Sequence, residues 1–323
     1  MTGALRRAAI SATRAPSVHN TQPWSLVLLR DGLEIRVDRT RRLRVLDPRG
    51  RQMMISCGCA LFNARVALAA SGYDAVVDRS PDDQRSEVVA RLTIPTDVQD
   101  WVRIGDLEPS ILRRRTNRRH FDDEPVPPAV IDALMTAAAA EGALLLPITG
   151  VQERLMTARL SQHADRIERS DPAYQAELRA WTTSDPQRTD GVWSATVPYA
   201  GTGADVHDAL PIREFDTTGM GWLPADPESG STESLLLLGT LADGPGAWLR
   251  AGEALEHVWL ELTHLGYAAS PLTQVVEVSD THSRLREELQ LVMHPAVLLR
   301  VGHAPETVQT SRRHDVEVIS ESS

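Results

Sequence analysis

Five arginines lie within seven residues near the middle of the chain, in a protein whose formal net charge is −10. Guanidinium groups form bidentate hydrogen bonds with phosphate, and the hydroxyl of Thr116 among them supplies a further donor. The sequence contains no lysine, which excludes Schiff-base and P-loop chemistry and leaves arginine as the strong cation for an anionic ligand. We therefore predict an anion site here, with a solvated linker as the alternative; the five are Arg113, Arg114, Arg115, Arg118 and Arg119.

A second polar segment, APSVHNTQPW, lies between a helical pattern and an apolar strand-like run that follows Trp24. It presents Ser17, His19, Asn20 and Gln22, which are typical either of turn chemistry or of a ligand-binding loop. The chain has only three asparagines, and two of them, Asn20 and Asn117, fall inside the two polar segments. The residues alone leave both interpretations of this loop open.

Metal and redox chemistry have weaker support. Glu253 and His257, or His257 and His264, have helical spacings that suit a metal, but no third ligand is evident, which favours packed histidines. Cys57 and Cys59 are separated by one residue, so in a helix they project in different directions and are predicted to be buried thiols.

A repeat at a distance of 194 positions indicates how the chain is organised. GCALFNARVALAASGYDA from Gly58 matches GEALEHVWLELTHLGYAA from Gly252, and Gly-Tyr recurs at the end of both. Each segment is helical by its periodicity and ends at a glycine. Strand-like runs follow at 88–94 and 296–302. We therefore predict two halves, 1–109 and 110–323, that pair as a homodimer would.

The two halves differ in their polar segments. The stretch AAAAEGALLLPITG of the second half has none of the polar residues of APSVHNTQPW, and nothing like the arginine run precedes the first half. One complete set of polar segments predicts one ligand site per chain, built between the halves. The stretch from about 183 to 231 is rich in Gly and Pro without clear periodicity, and we interpret it as a lid-like insertion.

Composition narrows the classes of partner. A hydrophobic content of 42% with 24% charged residues is typical of a globular protein, and no apolar run approaches the ~20 residues of a membrane span. The acidic balance argues against a nucleic-acid or membrane partner. The first residues lack the apolar segment of a secretion signal, which predicts a cytoplasmic protein.

These segments together resemble the FMN-dependent nitroreductase superfamily. APSVHNTQPW is similar to its Pro-Ser-x-x-Asn-x-Gln-Pro-Trp segment, and RRRTNRRHF to its phosphate-binding start, with Thr116 at a serine position. The resemblance continues in the helix from Gly252, in SPL at 270–272, in HPAVLLRVGHAP from His294 and in SRRHDVEVI from Ser311. The fused arrangement resembles the Acg-like branch, known from actinobacteria, and implies an α+β nitroreductase-like fold.

The resemblance also implies which residues hold one FMN. It places the phosphate on Arg114, Thr116 and Arg118, and it places the Pro271-Leu272 turn and His257 against the flavin ring. One extra residue before Phe121 leaves open whether Arg118 or Arg119 faces the phosphate. The remaining implied cofactor residues come from the first half and from the C-terminal tail: Ser17, Asn20, Gln22, Arg312 and Arg313.

The first functional hypothesis is an NAD(P)H-dependent oxidoreductase that reduces nitroaromatic or quinone-type acceptors through FMN, with no catalytic acid or base from a side chain. The second is an FMN-sequestering protein whose lid stays closed. A third, a stress-linked interaction protein with structural FMN, has little support. The fused halves predict a monomer, because the two-fold interface is satisfied within one chain.

Overall fold

The computed structural model describes residues 2–79, 87–94, 103–119, 121–197, 210–211, 213, 215 and 234–322. Its α-helices are α1 Thr2–Ala12, α2 Arg51–Ala69, α3 Glu108–Arg113, α4 Pro128–Ala140, α5 Val151–Ser170, α6 Pro172–Ala180, α7 Pro245–His264, α8 Gln274–Glu277, α9 Ser279–Glu288 and α10 Asp315–Val318. Its strands are β1 Trp24–Leu28, β2 Gly32–Val37, β3 Val76–Arg79, β4 Val88–Thr93, β5 Leu144–Pro147, β6 Thr182–Thr183, β7 Val192–Trp193, β8 Ser234–Thr240, β9 Ala268–Leu272, β10 His294–Gly302 and β11 Ile319–Glu321.

Two sheets have the same topology. The first has the order β11-β1-β2-β4-β3 and the second the order β5-β8-β10-β9. Apart from β11, which runs parallel to β1, each pair of neighbours in both sheets is antiparallel. The strands β1, β2, β4 and β3 therefore correspond in order to β5, β8, β10 and β9. The mixture of helices and antiparallel sheets confirms the predicted α+β class.

Helices α2 and α7 pack against each other between the two sheets and contain the two repeated segments. The turn after each helix contains a glycine with positive φ, Gly72 at 83° after α2 and Gly266 at 85° after α7. The next residue donates back into the helix in both cases, Tyr73 to the carbonyl of Leu68 at 3.0 Å and Tyr267 to that of Leu262 at 2.8 Å. This hydrogen bond terminates a helix when a left-handed residue reverses the chain. The predicted glycine stops and the strands that follow are thus confirmed.

Helix α2 is the central core helix. It has the length and composition of a membrane span, with a mean hydropathy of 1.2 over 18 residues, which the expectation from apolar runs had not anticipated. However, 94% of that window is buried inside the protein. Its apolar character is therefore explained by packing on both sides, against α1 and against α7.

The two sheets differ at one connection. Strands β1 and β2 are joined by a tight hairpin in which the amide of Leu29 donates to the carbonyl of Gly32 at 2.9 Å. The corresponding strands β5 and β8 are far apart in the sequence, because α5, α6 and the insertion at about 183–231 lie between them. The C-terminal strand β11 pairs with β1, so the range 110–323 contributes one strand to the first sheet.

Candidate functional site

A central cavity of about 110 Å³ lies between α2 and α7. Helix α2 contributes Gln52, Ser56 and Cys59, and α7 contributes Leu255 and Trp259. These positions are spaced three or four residues apart, so each set lies on one face of its helix. The other walls come from the loop before β1, the end of β9, the arginine run and the insertion: Pro16, Ser17, Val18, His19, Thr116, Arg118, Arg213, Phe215, Ser270, Pro271, Thr273 and Gln274.

A second, smaller pocket of about 60 Å³ adjoins the central cavity and shares Pro16, Ser17, Thr116 and Arg118 with it. We call it the arginine pocket. Among the described residues, no carboxylate lines either space. The arginine pocket is lined by five arginines, namely Arg14, Arg114, Arg115, Arg118 and Arg312.

The positive charges of the arginines in this pocket repel one another, as their pKa values show. Burial, followed by the charge of Arg114, lowers the pKa of Arg312 to about 9. Burial, followed by the charge of Arg213, lowers the pKa of Arg118 to about 10. Repulsion among buried cations is relieved when an anion enters, so this electrostatic environment favours a phosphate or similar group.

The loop before β1 is held in an uncommon conformation. His19, Asn20 and Gln22 have φ values of 47°, 53° and 48°, and in the described part of the chain the only other non-glycine residue with positive φ is Gln290. Left-handed backbone at non-glycine residues clusters at ligand-binding sites. The side-chain Nδ2 of Asn20 donates to the carbonyls of Gly191 at 3.0 Å and Ser311 at 3.2 Å, which connects the loop to the insertion and to the C-terminal tail.

Several sequence-predicted residues lie at the two cavities. Ser17, Thr116 and Arg118 line both, while Pro271 lines the central cavity. Asn20, Arg114 and Arg312 line the arginine pocket. The run at 113–119 is therefore placed at a pocket, although Arg113 and Arg119 do not line it.

Gln22 and Arg313 line neither cavity. Gln22 is fully buried, donates to the carbonyl of Thr189 at 2.9 Å and accepts from the amide of Arg313 at 2.8 Å. The guanidinium of Arg313 forms an ion pair with Glu317 at 3.6 Å. Both residues therefore fasten the loop, the insertion and the tail together.

His257 and Leu272 do not line the cavity, contrary to the expectation that they face the ring. His257 is two residues from both Leu255 and Trp259, which rotates it to the opposite side of α7. Its ring stacks on Phe62 with centroids 4.6 Å apart, and its Nδ1 lies 3.1 Å from Glu141. Leu272 packs into an apolar cluster of the second half.

The place equivalent to the cavity at the other end of the helix pair is filled. The 194-residue offset relates Cys59, Trp259 and Thr273 at the cavity to Glu253, Arg65 and Arg79. Glu253 is fully buried and pairs with Arg65 at 2.9 Å and with Arg79 at 2.7 Å, and Arg65 also pairs with Glu141. The residues that this offset relates to the cavity wall are therefore engaged in an ionic network with one another.

The insertion reaches the central cavity through Arg213 and Phe215. Phe215 meets the His19 ring edge to face with centroids 5.4 Å apart, and the Arg118 guanidinium lies 4.9 Å from its centroid. Arg213 lies 2.7 Å from Nε2 of His19 and pairs with the buried carboxylates of Glu277 and Glu168. Burial, with the charges of Arg213 and Arg118, holds the pKa of His19 well below its usual value, so the ring is neutral. Of the insertion's other aromatic residues, Tyr199 and Trp222 lie outside the described residues.

Sequence reasoning missed Arg14, Arg213, Trp259 and the α2 face. That face carried a signal, because Gln52, Ser56 and Cys59 are spaced like one side of an otherwise apolar helix. Arg213 carried none, since it lies in a stretch without periodicity. Both cysteines are buried free thiols, as predicted. No cluster of metal-ligating side chains occurs among the described residues.

The residues at the two cavities fit a flavin phosphate and ring. The arginine pocket offers donors to an anion, and Nε of Arg14 and of Arg312 and Oδ1 of Asn20 are buried there without a hydrogen-bond partner, as is Nδ1 of His19 at the central cavity. The central cavity adds Pro271, Leu255 and Trp259 as apolar surface. Its volume is smaller than the ~300–1,000 Å³ of typical ligand sites, so a three-ring ligand requires the walls of the cavity to move apart.

Two mycobacterial proteins match this chain along more than nine tenths of its length. A protein of Mycobacterium tuberculosis strain H37Rv named "Putative NAD(P)H nitroreductase Rv3131" is 36% identical over 299 residues, covering 91% of this chain and 83% of that protein. "Putative NAD(P)H nitroreductase acg" of the same strain is 29% identical over 308 residues, covering 94% and 90%.

No family model matches the chain. Among solved structures, an FMN and NADPH-dependent nitroreductase, NfnB, from a Sphingopyxis strain is 18% identical with a TM-score of 0.42, covering 66% of this chain and 97% of that one. The identity to the mycobacterial proteins, over nine tenths of the chain, decides the family. This chain belongs to the nitroreductase family, in the branch that includes the acg protein.

Proposed function

We propose that the protein holds one FMN between its two halves and uses it to pass hydride from NAD(P)H to nitroaromatic or quinone-type acceptors. The observation that carries the proposal is the junction of the arginine pocket, to which no described residue contributes a carboxylate, with a cavity of mixed polar and apolar walls at the crossing of α2 and α7. The names of the mycobacterial relatives support the choice of NAD(P)H as donor.

In this proposal Arg114, Arg118 and Arg312 hold the phosphate, with Thr116 and Asn20 at its edge. When bound, FMN supplies the hydride chemistry, and no side chain needs to act as catalytic acid or base. Pro271, Leu255 and Trp259 shape the walls that orient the ring. His19 is neutral and accepts a hydrogen bond from Arg213. The charge in this part of the wall therefore comes from Arg213, and His19 does not change its protonation state near neutral pH.

The alternative function is sequestration of FMN with little turnover. It is favoured by the position of Arg213 and Phe215, which close the cavity from the insertion side. In a closed state an acceptor has no access, and the observed rate is scaled by the fraction of molecules that are open. Both functions share the same proposed site, a monomeric chain divided at about residue 110, and a cytoplasmic setting without nucleic-acid or membrane partners.

Anaerobic mixing of the purified flavoprotein with NADPH or NADH tests the proposal. Bleaching of the flavin absorbance, followed by its return when a quinone or nitroaromatic compound is added, is the expected result. Bleaching by neither nucleotide, with FMN retained, would eliminate the oxidoreductase function and leave sequestration.

A further inference from the structure

Glu256 is a fully buried carboxylate directly behind the arginine pocket. Its Oε1 lies 3.3 Å from Nε of Arg114, whose guanidinium also donates to the carbonyl of Arg14 at 3.2 Å. The flat face of Arg114 rests on Trp259, 4.8 Å from the ring centroid. Arg114 is thus held between a buried anion on one side and the pocket on the other.

The surroundings of Glu256 contain cations and no second acid. The groups that act on it are Arg114 beside α3, Asn63 on α2 and Arg312 from the C-terminal tail. Cys59 on α2 is close enough for the charge of Glu256 to raise its pKa, but this buried thiol stays protonated near neutral pH. The ionised form of Glu256 is therefore favoured by the charges of Arg114 and Arg312 and by the side-chain amide of Asn63.

Burial raises the pKa of Glu256 to about 7, with Arg114, Asn63 and Arg312 acting in the opposite direction. The side chain is therefore poised to change its charge when its cationic neighbours are engaged elsewhere. A phosphate group in the arginine pocket engages the same guanidiniums, because both Arg114 and Arg312 line that pocket.

We propose that Glu256 and the bound phosphate share Arg114 and Arg312, so that Glu256 takes up a proton from solvent when FMN binds. This inference rests on the proposed FMN site and adds a residue that does not itself line it. Glu256 is a positioning residue that supplies the counter-charge to the arginines until a ligand phosphate replaces it.

The direction of the effect follows from linkage. An anion placed beside the arginines favours the neutral form of Glu256, and proton uptake on binding makes affinity fall as pH rises. With one proton coupled, the Kd for FMN rises by up to about tenfold per pH unit above neutrality. Riboflavin lacks the phosphate, so its Kd stays constant over the same range.

The test is isothermal titration of flavin-free protein at pH 8, in two buffers of different ionisation enthalpy. At this pH the phosphate of free FMN is already a dianion, with a second pKa of about 6, so it contributes no proton of its own. We expect uptake of about half to one proton per FMN and none with riboflavin. Glu256→Gln, which keeps the shape and an acceptor for Arg114, should bind FMN with almost no uptake at pH 8 and with a nearly constant Kd between pH 7 and 8, below the range in which Arg312 loses its proton.

Glu261→Gln is the matched control, because Glu261 lies on the same helix away from the pocket and should leave the uptake unchanged. Uptake that persists in Glu256→Gln, or its absence in the natural protein with FMN bound, overturns the inference. Failure of FMN to bind would instead refute the proposed function. Inorganic phosphate, titrated in the same two buffers, would then decide whether Glu256 couples to an anion in the pocket.

Discussion

Gly58 and Gly252 touch where α2 crosses α7, and the contact is reciprocal. A Cβ on either glycine would lie 2.8 Å from the Cα of the other. A Cβ on Gly58 would also collide with the carbonyl of Leu249, and one on Gly252 with that of Ile55, again a pair separated by 194 residues. The two sheets of equal topology extend the same relationship, and they support the prediction of two related halves that pair around one axis.

This contact predicts that Gly252→Ala is strongly destabilising. The added methyl group has backbone atoms as neighbours, which cannot rotate away, so the helices must separate. Overpacking of this kind costs about 1–3 kcal/mol of unfolding free energy, or more where backbone is displaced. Urea unfolding of the natural and altered proteins, followed by circular dichroism, measures the difference.

Gly246→Ala is the control for that experiment. Gly246 lies in the first turn of the same helix, and its added Cβ would meet nothing within 4 Å. Removing a glycine from an unobstructed helical position is neutral or stabilises by up to about 1 kcal/mol. Equal losses in the two variants would show that the close crossing is not what makes Gly252 necessary.

Arg114→Ala should weaken binding of FMN far more than that of riboflavin. Loss of a charge-assisted phosphate contact costs about 1.5–3 kcal/mol, which is roughly tenfold or more in affinity. Quenching of flavin fluorescence on titration with protein gives both Kd values. Equal losses for the two ligands would mean that Arg114 serves the fold alone.

The same variant leaves Glu256 without its cationic partner. Removing Arg114 raises the pKa of the buried Glu256 further, so Arg114→Ala should also lower the unfolding free energy, and increasingly so as pH rises above neutrality. The double variant Arg114→Ala with Glu256→Gln removes that charge and should recover stability while FMN binding stays weak. Measuring both properties in the two proteins separates the binding role from the structural one.

One FMN per chain is expected, because the place equivalent to the cavity contains the network of Arg65, Arg79, Glu141 and Glu253. Acid release of flavin, quantified against protein, gives the ratio. A value near two, or flavin that remains covalently attached, would contradict the arrangement.

A monomer is expected for a related reason. The two-fold contact between α2 and α7 is already made within one chain, so no second copy is needed to complete the cavity. Light scattering at several protein concentrations should give the mass of one chain, 35.5 kDa. A concentration-independent dimer would show that a further surface pairs.

Periodicity made much of the fold predictable from sequence. The glycine stops of α2 and α7 and the strands β4 and β10 were recognisable because helix and strand patterns are local. The anion site was recognisable because arginine is rare as a cluster in an acidic chain. The direction in which His257 points was not recognisable. A shift of two positions along a helix turns a side chain to the opposite face, and the family motif does not specify which face His257 occupies here.

Glu256 and Arg213 could not be assigned to the site from local sequence patterns. Glu256 lies in a helix whose other residues are apolar or charged at ordinary spacing, and its role depends on a guanidinium more than 140 positions away. Arg213 lies in the aperiodic insertion, where no local pattern indicates which side chain meets the cavity. Long-range pairing of charges is set by packing, which the sequence does not display.

The insertion decides between the two proposed functions, and Arg213 is the residue through which to test it. Its guanidinium joins the insertion to Glu277, Glu168 and His19 at the cavity wall. Arg213→Ala removes this attachment and leaves the buried Glu277 without its nearest cation, so a loss of unfolding free energy is expected as well. The open state should gain population, and circular dichroism of the variant checks that the fold is kept.

We accordingly predict weak NAD(P)H turnover in the intact protein and a clear increase in two variants, Arg213→Ala and a replacement of residues 191–221 by a short Gly/Ser connection. Arg188→Ala is the control, because Arg188 belongs to the same insertion but pairs with Asp190 away from the cavity. Steady-state oxidation of NADPH with a quinone acceptor measures all four proteins. If the intact protein already turns over at ~10 s⁻¹, the median for enzymes, the insertion is not a closed lid and sequestration is excluded. If release of the insertion raises the rate while Arg188→Ala does not, access to the cavity is what limits the intact protein, because the chemistry at the flavin is common to all four.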